Sequence, residues 1–256
     1  MRPLTHRAAA MLAAVAVPVL SSVAGAQPQS CPAPLGDARR LVLVTAKSMN
    51  EPAAEMQLYE RASPAEPWRA LGPSEPVMLG RGGVGWSYFF RRYARAGEPI
   101  KVEGDKRAPA GFYRIGRSFG TVPSQRPGHI GVTDDTVCVY EPSSPHYNRI
   151  LSRKIAGDVR VENMSRMLPM YRRGLVVEYP TDGRAQAGSC IFIHVWRTPT
   201  TGTAGCVAMP EPRVEALQEF SAAGAVLAIL PQQALGRFAT CLPKPDHKPG
   251  EQTSTR

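Results

Sequence analysis

The chain has 256 residues, 43% of them hydrophobic and 20% charged, and its 31 Lys and Arg against 21 Asp and Glu give a formal charge of +10. So much apolar content beside so few charges excludes wholesale disorder. The length suits one domain with tails.

The first segment reads as a secretory leader. Arg2, His6 and Arg7 precede a mostly apolar run over 8–23, and Ala24-Gly25-Ala26 stands before polar Gln27. This is the basic, apolar and small-residue pattern of a cleavable signal. Pro18, Ser21 and Ser22 interrupt the run, which falls short of the ~20 apolar residues of a membrane span. Cleavage after Ala26 is therefore expected, with no integral membrane segment left. A lipid anchor on Cys31 is disfavoured, because Pro28-Gln29-Ser30 lacks the apolar and small residues such a site needs. Losing residues 1–26 removes two basic residues and no acidic one, which leaves +8. Such a protein, exported to the periplasm or cell envelope, meets anionic wall polymers and membrane surfaces rather than nucleic acid. The same scattered charge also serves solubility alone.

Residues 27–40 form a stub, 41–230 a mostly β domain, and 231–256 a tail expected to be largely disordered, since 244–256 is polar with two prolines. Strands are expected at Leu41 to Val44, Met56 to Tyr59, Pro76 to Leu79, Gly111 to Ile115, Val137 to Tyr140, Leu175 to Tyr179, Cys190 to Val195 and Ala225 to Leu230. Gly80, Gly82, Gly83 and Gly85 mark a hairpin or bulge, because no Lys-Ser/Thr follows to make a phosphate loop. A helix is expected over Glu211 to Ala222, with Val214, Leu217 and Phe220 on one face, Pro212 near its start and Gly224 beyond its end. A weaker helix is expected over Ser144 to Leu151.

Five cysteines follow the leader: Cys31, Cys138, Cys190, Cys206 and Cys241. In an oxidising compartment an odd number leaves a thiol unpaired. Sequence leaves the pairing open. Cys138 and Cys190 sit in strand-like runs and are taken as a hypothetical disulfide, and Cys31 and Cys241 lie near the ends. Cys206 is then the odd one.

His194 closes one expected strand and Cys206, twelve positions on, opens the next. A thiol is mostly protonated at neutral pH, so a nucleophilic cysteine needs an imidazole to take its proton or to stabilise the anion. An activated Cys206 would react with iodoacetamide well below pH 8 and lose that reactivity in His194→Ala. Gly205 permits a sharp turn that aims the amides of Gly205 and Cys206 at a carbonyl oxygen, as an oxyanion hole would. The same residues also fit a structural histidine and an inert buried cysteine, as in a non-catalytic wall-binding module whose thiol is inert or used for redox pairing.

Ile191-Phe192-Ile193-His194 with Thr203-x-Gly205-Cys206 resembles the active-site signature of the L,D-transpeptidase (YkuD-type) catalytic domain. Lys101-Val102-Glu103-Gly104-Asp105 with Pro109-Ala110-Gly111-Phe112-Tyr113 resembles a second family element, and Pro145-His146-Tyr147-Asn148 the Tyr-Asn segment of one branch. The likeness covers about 41–230. It implies a mainly β sandwich of two packed mixed sheets with one or two short helices, and a monomer acting on peptidoglycan stem peptides without metal or other cofactor. By position, Cys206 is the implied nucleophile and His194 its base, with a backbone carbonyl orienting the imidazole. The thiolate would attack the third stem residue, expel the terminal D-amino acid and leave a thioester. A second stem's amine would then give a 3→3 cross-link, and water a carboxypeptidase. The family commonly has His before the Gly-Cys pair and Arg or Asn two residues after the cysteine, where this chain has Ala204 and Ala208. Gly205 to Met209 also resembles a hydrolytic branch that releases wall-linked protein.

Arg197, between base and nucleophile, and Thr203 are candidate substrate contacts. Glu103 and Asp105 suggest paired acids, but their setting before Pro109 and Gly111 reads better as turn chemistry. His129 and His146 have no partner at metal-ligand spacing.

Overall fold

The computed structural model describes residues 31–244, so the expected leader over 1–26 and the end of the tail lie outside the described residues. Thirteen strands follow in order: β1 (Arg40–Ala46), β2 (Ala53–Glu60), β3 (Arg69–Met78), β4 (Val84–Trp86), β5 (Ala108–Gly120), β6 (Ile130–Gly131), β7 (Thr136–Val139), β8 (Ile150–Ser152), β9 (Val161–Asn163), β10 (Gly174–Val177), β11 (Phe192–Val195), β12 (Val207–Met209) and β13 (Val226–Pro231). Two α-helices, α1 (Arg153–Ala156) and α2 (Glu211–Phe220), and several 3-10 turns complete a mainly β fold.

The large sheet runs β10-β11-β12-β3-β2-β1-β13-β5-β4, and β10 also pairs with β5. That last pairing closes the path into a barrel-like ring, so the two stacked sheets expected from the family likeness are not what the ladders form. The reason lies in the 13-residue β5. Its first half pairs with β13, from Gly111↔Ile229 to Arg114↔Val226, and its second half with β10, as in Phe119↔Gly174. One strand thus changes partner along its length and leaves no gap. Apolar β1 and β13 lie side by side, parallel, from Leu41↔Val226 to Ala46↔Pro231. Their side chains join Trp86, Phe112, Tyr113, Ile193, Val207 and Leu217 in the main core.

A separate three-stranded sheet, β8-β7-β9, begins where a helix was expected. Residues 144–149 form turns, and β8 starts at Ile150. Pro145 has no amide hydrogen to donate, and Asn148 at φ 64 breaks any helical path. Cys138 of β7 and the following Met164 join Phe119, Tyr171, Phe192 and Cys206 in a second apolar cluster on the far face of β11.

Helix α2 buries Val214 and Leu217, half-buries Phe220 and passes into a 3-10 turn at Ser221–Ala223. The first part of the expected disordered tail is ordered. A 3-10 segment over Gln232–Phe238 buries Ala234 and Phe238, Arg237 pairs with Glu98, and Cys241 is disulfide-bonded to Cys31. The glycine-rich stretch is a tight turn into β4, closed by Gly83 N–H donating to Gly80 O at 2.7 Å. Gly83 has φ 83, and a Cβ there would overlap Met49 O.

Candidate active site

Strands β11 and β12 are parallel neighbours with Ile193↔Val207 and His194↔Ala208 in register. Alternation sends Ile193, Val195, Val207 and Met209 into the main core and puts Phe192, His194, Cys206 and Ala208 on the opposite face. That register, more than the loop, puts Cys206 and His194 on the same face. Phe192 N–H donates to Cys206 Sγ at 3.4 Å, and the thiol donates to Cys190 O at 3.5 Å. Both Cys206 and His194 line one cavity of about 500 Å³.

His194 Nδ1 lies 2.8 Å from Val195 O. A carbonyl only accepts, so Nδ1 carries the hydrogen and Nε2 keeps its lone pair. Burial holds this imidazole down at about 4, against the partial support of that carbonyl. Burial pushes the Cys206 thiol up to about 12. The charge of Glu162 acts in the same direction, while Phe192 N–H and Lys101 oppose it. Both shifts favour thiol with neutral imidazole over thiolate with imidazolium at neutral pH. These shifts run against the facile alkylation expected of an activated cysteine, and Cys206 is only 6% exposed.

The turn before the nucleophile is held by Thr203. Its hydroxyl accepts Gly205 N–H at 3.0 Å and donates to Cys206 O at 2.8 Å. Its backbone accepts Arg81 N–H and donates to Leu79 O. With these bonds Thr203 positions the turn, and it also lines the cavity. The Gly205 amide is likewise spent on Thr203, so of the two expected oxyanion donors only the Cys206 amide is without an acceptor among the described residues. Gly205 has φ 144, where a Cβ would meet Arg107 O at 3.0 Å. Arg197 is exposed and lines the cavity.

Two residues with no spacing signal complete the site. The edge-on ring of Tyr171 stands 5.4 Å from the His194 ring, and its hydroxyl donates to Glu162 Oε1 at 2.6 Å. Burial raises the Glu162 carboxyl above its ordinary range. Both line the cavity.

Lys101 and Asp105 close a turn, and Lys101, Glu103 and Gly104 also line the cavity. Buried Lys101 donates to Val102 O and to Asp105 Oδ1, and Asp105 also accepts Val102 N–H and Arg107 N–H. Glu103 Oε2 accepts Tyr147 OH at 2.5 Å and Ser189 Oγ at 2.7 Å. Next to Tyr147, Asn148 Oδ1 accepts Cys190 N–H at 2.8 Å, and Cys190 has φ 54. Cys190 is also disulfide-bonded to Cys138. Two of the sequence motifs thus grip the segment whose carbonyl receives the Cys206 thiol. His129 Nδ1 is 2.9 Å from Ser118 Oγ, and neither His129 nor His146 lines the cavity. Among the described residues no three His, Cys, Asp or Glu side chains form a metal site.

Fold and site together define a mainly β protein in which a free cysteine and a buried histidine line a shared cavity. The family model of the L,D-transpeptidase catalytic domain (YkuD) matches residues 52–229, and the chain belongs to that family. No curated protein and no solved structure gives a significant match.

Proposed function

We propose that the protein is an exported cysteine L,D-transpeptidase that acts as a monomer in the periplasm or cell envelope on peptidoglycan stem peptides. The observation that carries the reading is the convergence of Cys206 and His194, by strand register, on one cavity, with Val195 O fixing the imidazole tautomer that leaves Nε2 basic. Two disulfides among the described residues suit an oxidising compartment.

His194 Nε2 takes the Cys206 proton as sulfur attacks the carbonyl of the third stem residue, so charge separates only when substrate is present. The Cys206 amide donates to the developing oxyanion. His194 returns the proton to the departing D-amino acid, and a thioester remains. The amine of a second stem then attacks, giving its proton to His194, and the thiol is released as the 3→3 cross-link forms. Arg197, exposed on the cavity wall, pairs with a stem carboxylate in this reading.

Mass spectrometry of disaccharide tetrapeptides incubated with the mature protein and with Cys206→Ala tests this. Cysteine-dependent dimers are expected. Cysteine-dependent tripeptides would make the enzyme a hydrolase instead, and no cysteine-dependent product would overturn the reading.

A further inference from the structure

A second cavity of about 750 Å³ lies behind the segment that anchors the nucleophile. Ile191 borders both cavities, and Asn148, which holds the Cys190 amide, lines this one. Arg114, Arg117 and Arg149 also line it. All three are exposed, and among the described residues none of their guanidinium groups meets a carboxylate or carbonyl. Some arginines elsewhere are engaged, Arg61 and Arg107 on backbone carbonyls and Arg160, Arg213 and Arg237 on carboxylates, while Arg39, Arg95, Arg184 and Arg197 are as open as these three; what sets Arg114, Arg117 and Arg149 apart is that they line one cavity together. The cavity has one acid on its wall, Glu178, which makes no ion pair. A smaller hollow of about 230 Å³ continues from Arg117 and adds Asp135. Phe89, 47% exposed, supplies an apolar rim.

Unpaired guanidinium groups are matched by planar anions, which they bind through paired N–H donors. Three such groups around a lesser number of acids complement a peptide with more carboxylates than amines. We propose that this groove holds a carboxylate-rich stem of the wall polymer while a neighbouring stem reacts at Cys206. The proposal rests on the wall-polymer reading above. It makes the groove a docking surface for the polymer, with no part in the chemistry.

The test uses mature full-length protein carrying Cys206→Ala, pelleted with purified peptidoglycan sacculi at low and high salt. The groove variant is Arg114→Ala/Arg117→Ala/Arg149→Ala. Its control is Arg39→Ala/Arg95→Ala/Arg184→Ala, which removes the same charge from exposed arginines outside the cavity. Losing three charge pairs should weaken binding about tenfold at low salt, with the control near wild type. Sacculi whose carboxylates are amidated should lose binding to the parent protein. Equal loss in both triple variants would reduce the effect to net charge, and would overturn the proposal. So would undiminished binding by the groove variant, binding to amidated sacculi, or no binding by the parent protein. With Cys206 restored, the groove variant should turn over soluble muropeptides at the unaltered rate. Failure of that turnover in the unsubstituted enzyme would instead strike the proposed function.

Discussion

Raising the pH on the resting protein, with no substrate present, probes the state of the nucleophile directly. With the thiol held at about 12, the thiolate fraction at pH 7 is ~10⁻⁵, against ~3% for a free cysteine of ordinary pKa. Alkylation of Cys206 should therefore run about a thousandfold slower than that of N-acetylcysteine, and rise about tenfold per pH unit until the fold gives way. Both disulfides leave Cys206 as the one titratable thiol of the described residues, so intact mass reports it without interference. His194→Gln should label at pH 7 within about threefold of wild type, because an uncharged imidazole does not stabilise a thiolate. Yet the same variant should lose at least about a hundredfold in turnover, as removal of a general base does. Iodoacetamide kinetics from pH 5.5 to 10 give the answer. Fast, pH-independent labelling between 5.5 and 7, abolished in His194→Gln, would reveal a preformed ion pair and refute the neutral resting state.

Burial of His194 has a signature in stability. The unfolded chain takes up the imidazole proton near 6.5 and the folded one only near 4, so stability is level above 6.5 and falls by about 3 kcal/mol as pH drops to 4; urea titrations across that window should show a flatter profile in His194→Gln. Thr203→Val leaves Gly205 N–H and Cys206 O without their shared hydroxyl, which should cost about 1–3 kcal/mol and lower kcat, with Thr203→Ser restoring both. Joint replacement of Cys138 and Cys190 by Ser opens a cross-link of sequence separation 52 and should cost about 4 kcal/mol in chemical denaturation. Since Cys190 O anchors the thiol, kcat for muropeptides should fall as well.

The strands at Leu41 to Val44 and Ala225 to Leu230 were legible because both are unbroken apolar runs, as parallel strands buried on two faces are. The face of β11 that carries function was not legible from pattern. Ile191 to Val195 is buried throughout, so alternation leaves no polar mark, and only the partner β12 shows that His194 shares a side with Cys206. Ser144 to Leu151 misled because turn residues and a short strand start mimic an amphipathic turn, while Asn148 supplies a local bend at φ 64. Tyr171 and Glu162 meet through a nine-residue excursion from β9, a spacing that no local rule singles out. Ring closure depends on β5 meeting β10 some 60 residues later, which periodicity within a window does not reach.

That closure has a consequence for how the molecule comes into being. β13 stands between β1 and β5, so β1 and β5 wait for the last strand of the described residues. A chain emerging from its N-terminus holds Leu41 to Val44 and Gly111 to Arg114 with bare edges until Val226 arrives. Pairings so distant in sequence make assembly slow, and open edges invite pairing between molecules. A chain truncated before β13 would lose no residue of the Cys206 and His194 pair but would lose the strand that joins β1 to β5: that strand is the clasp of the ring.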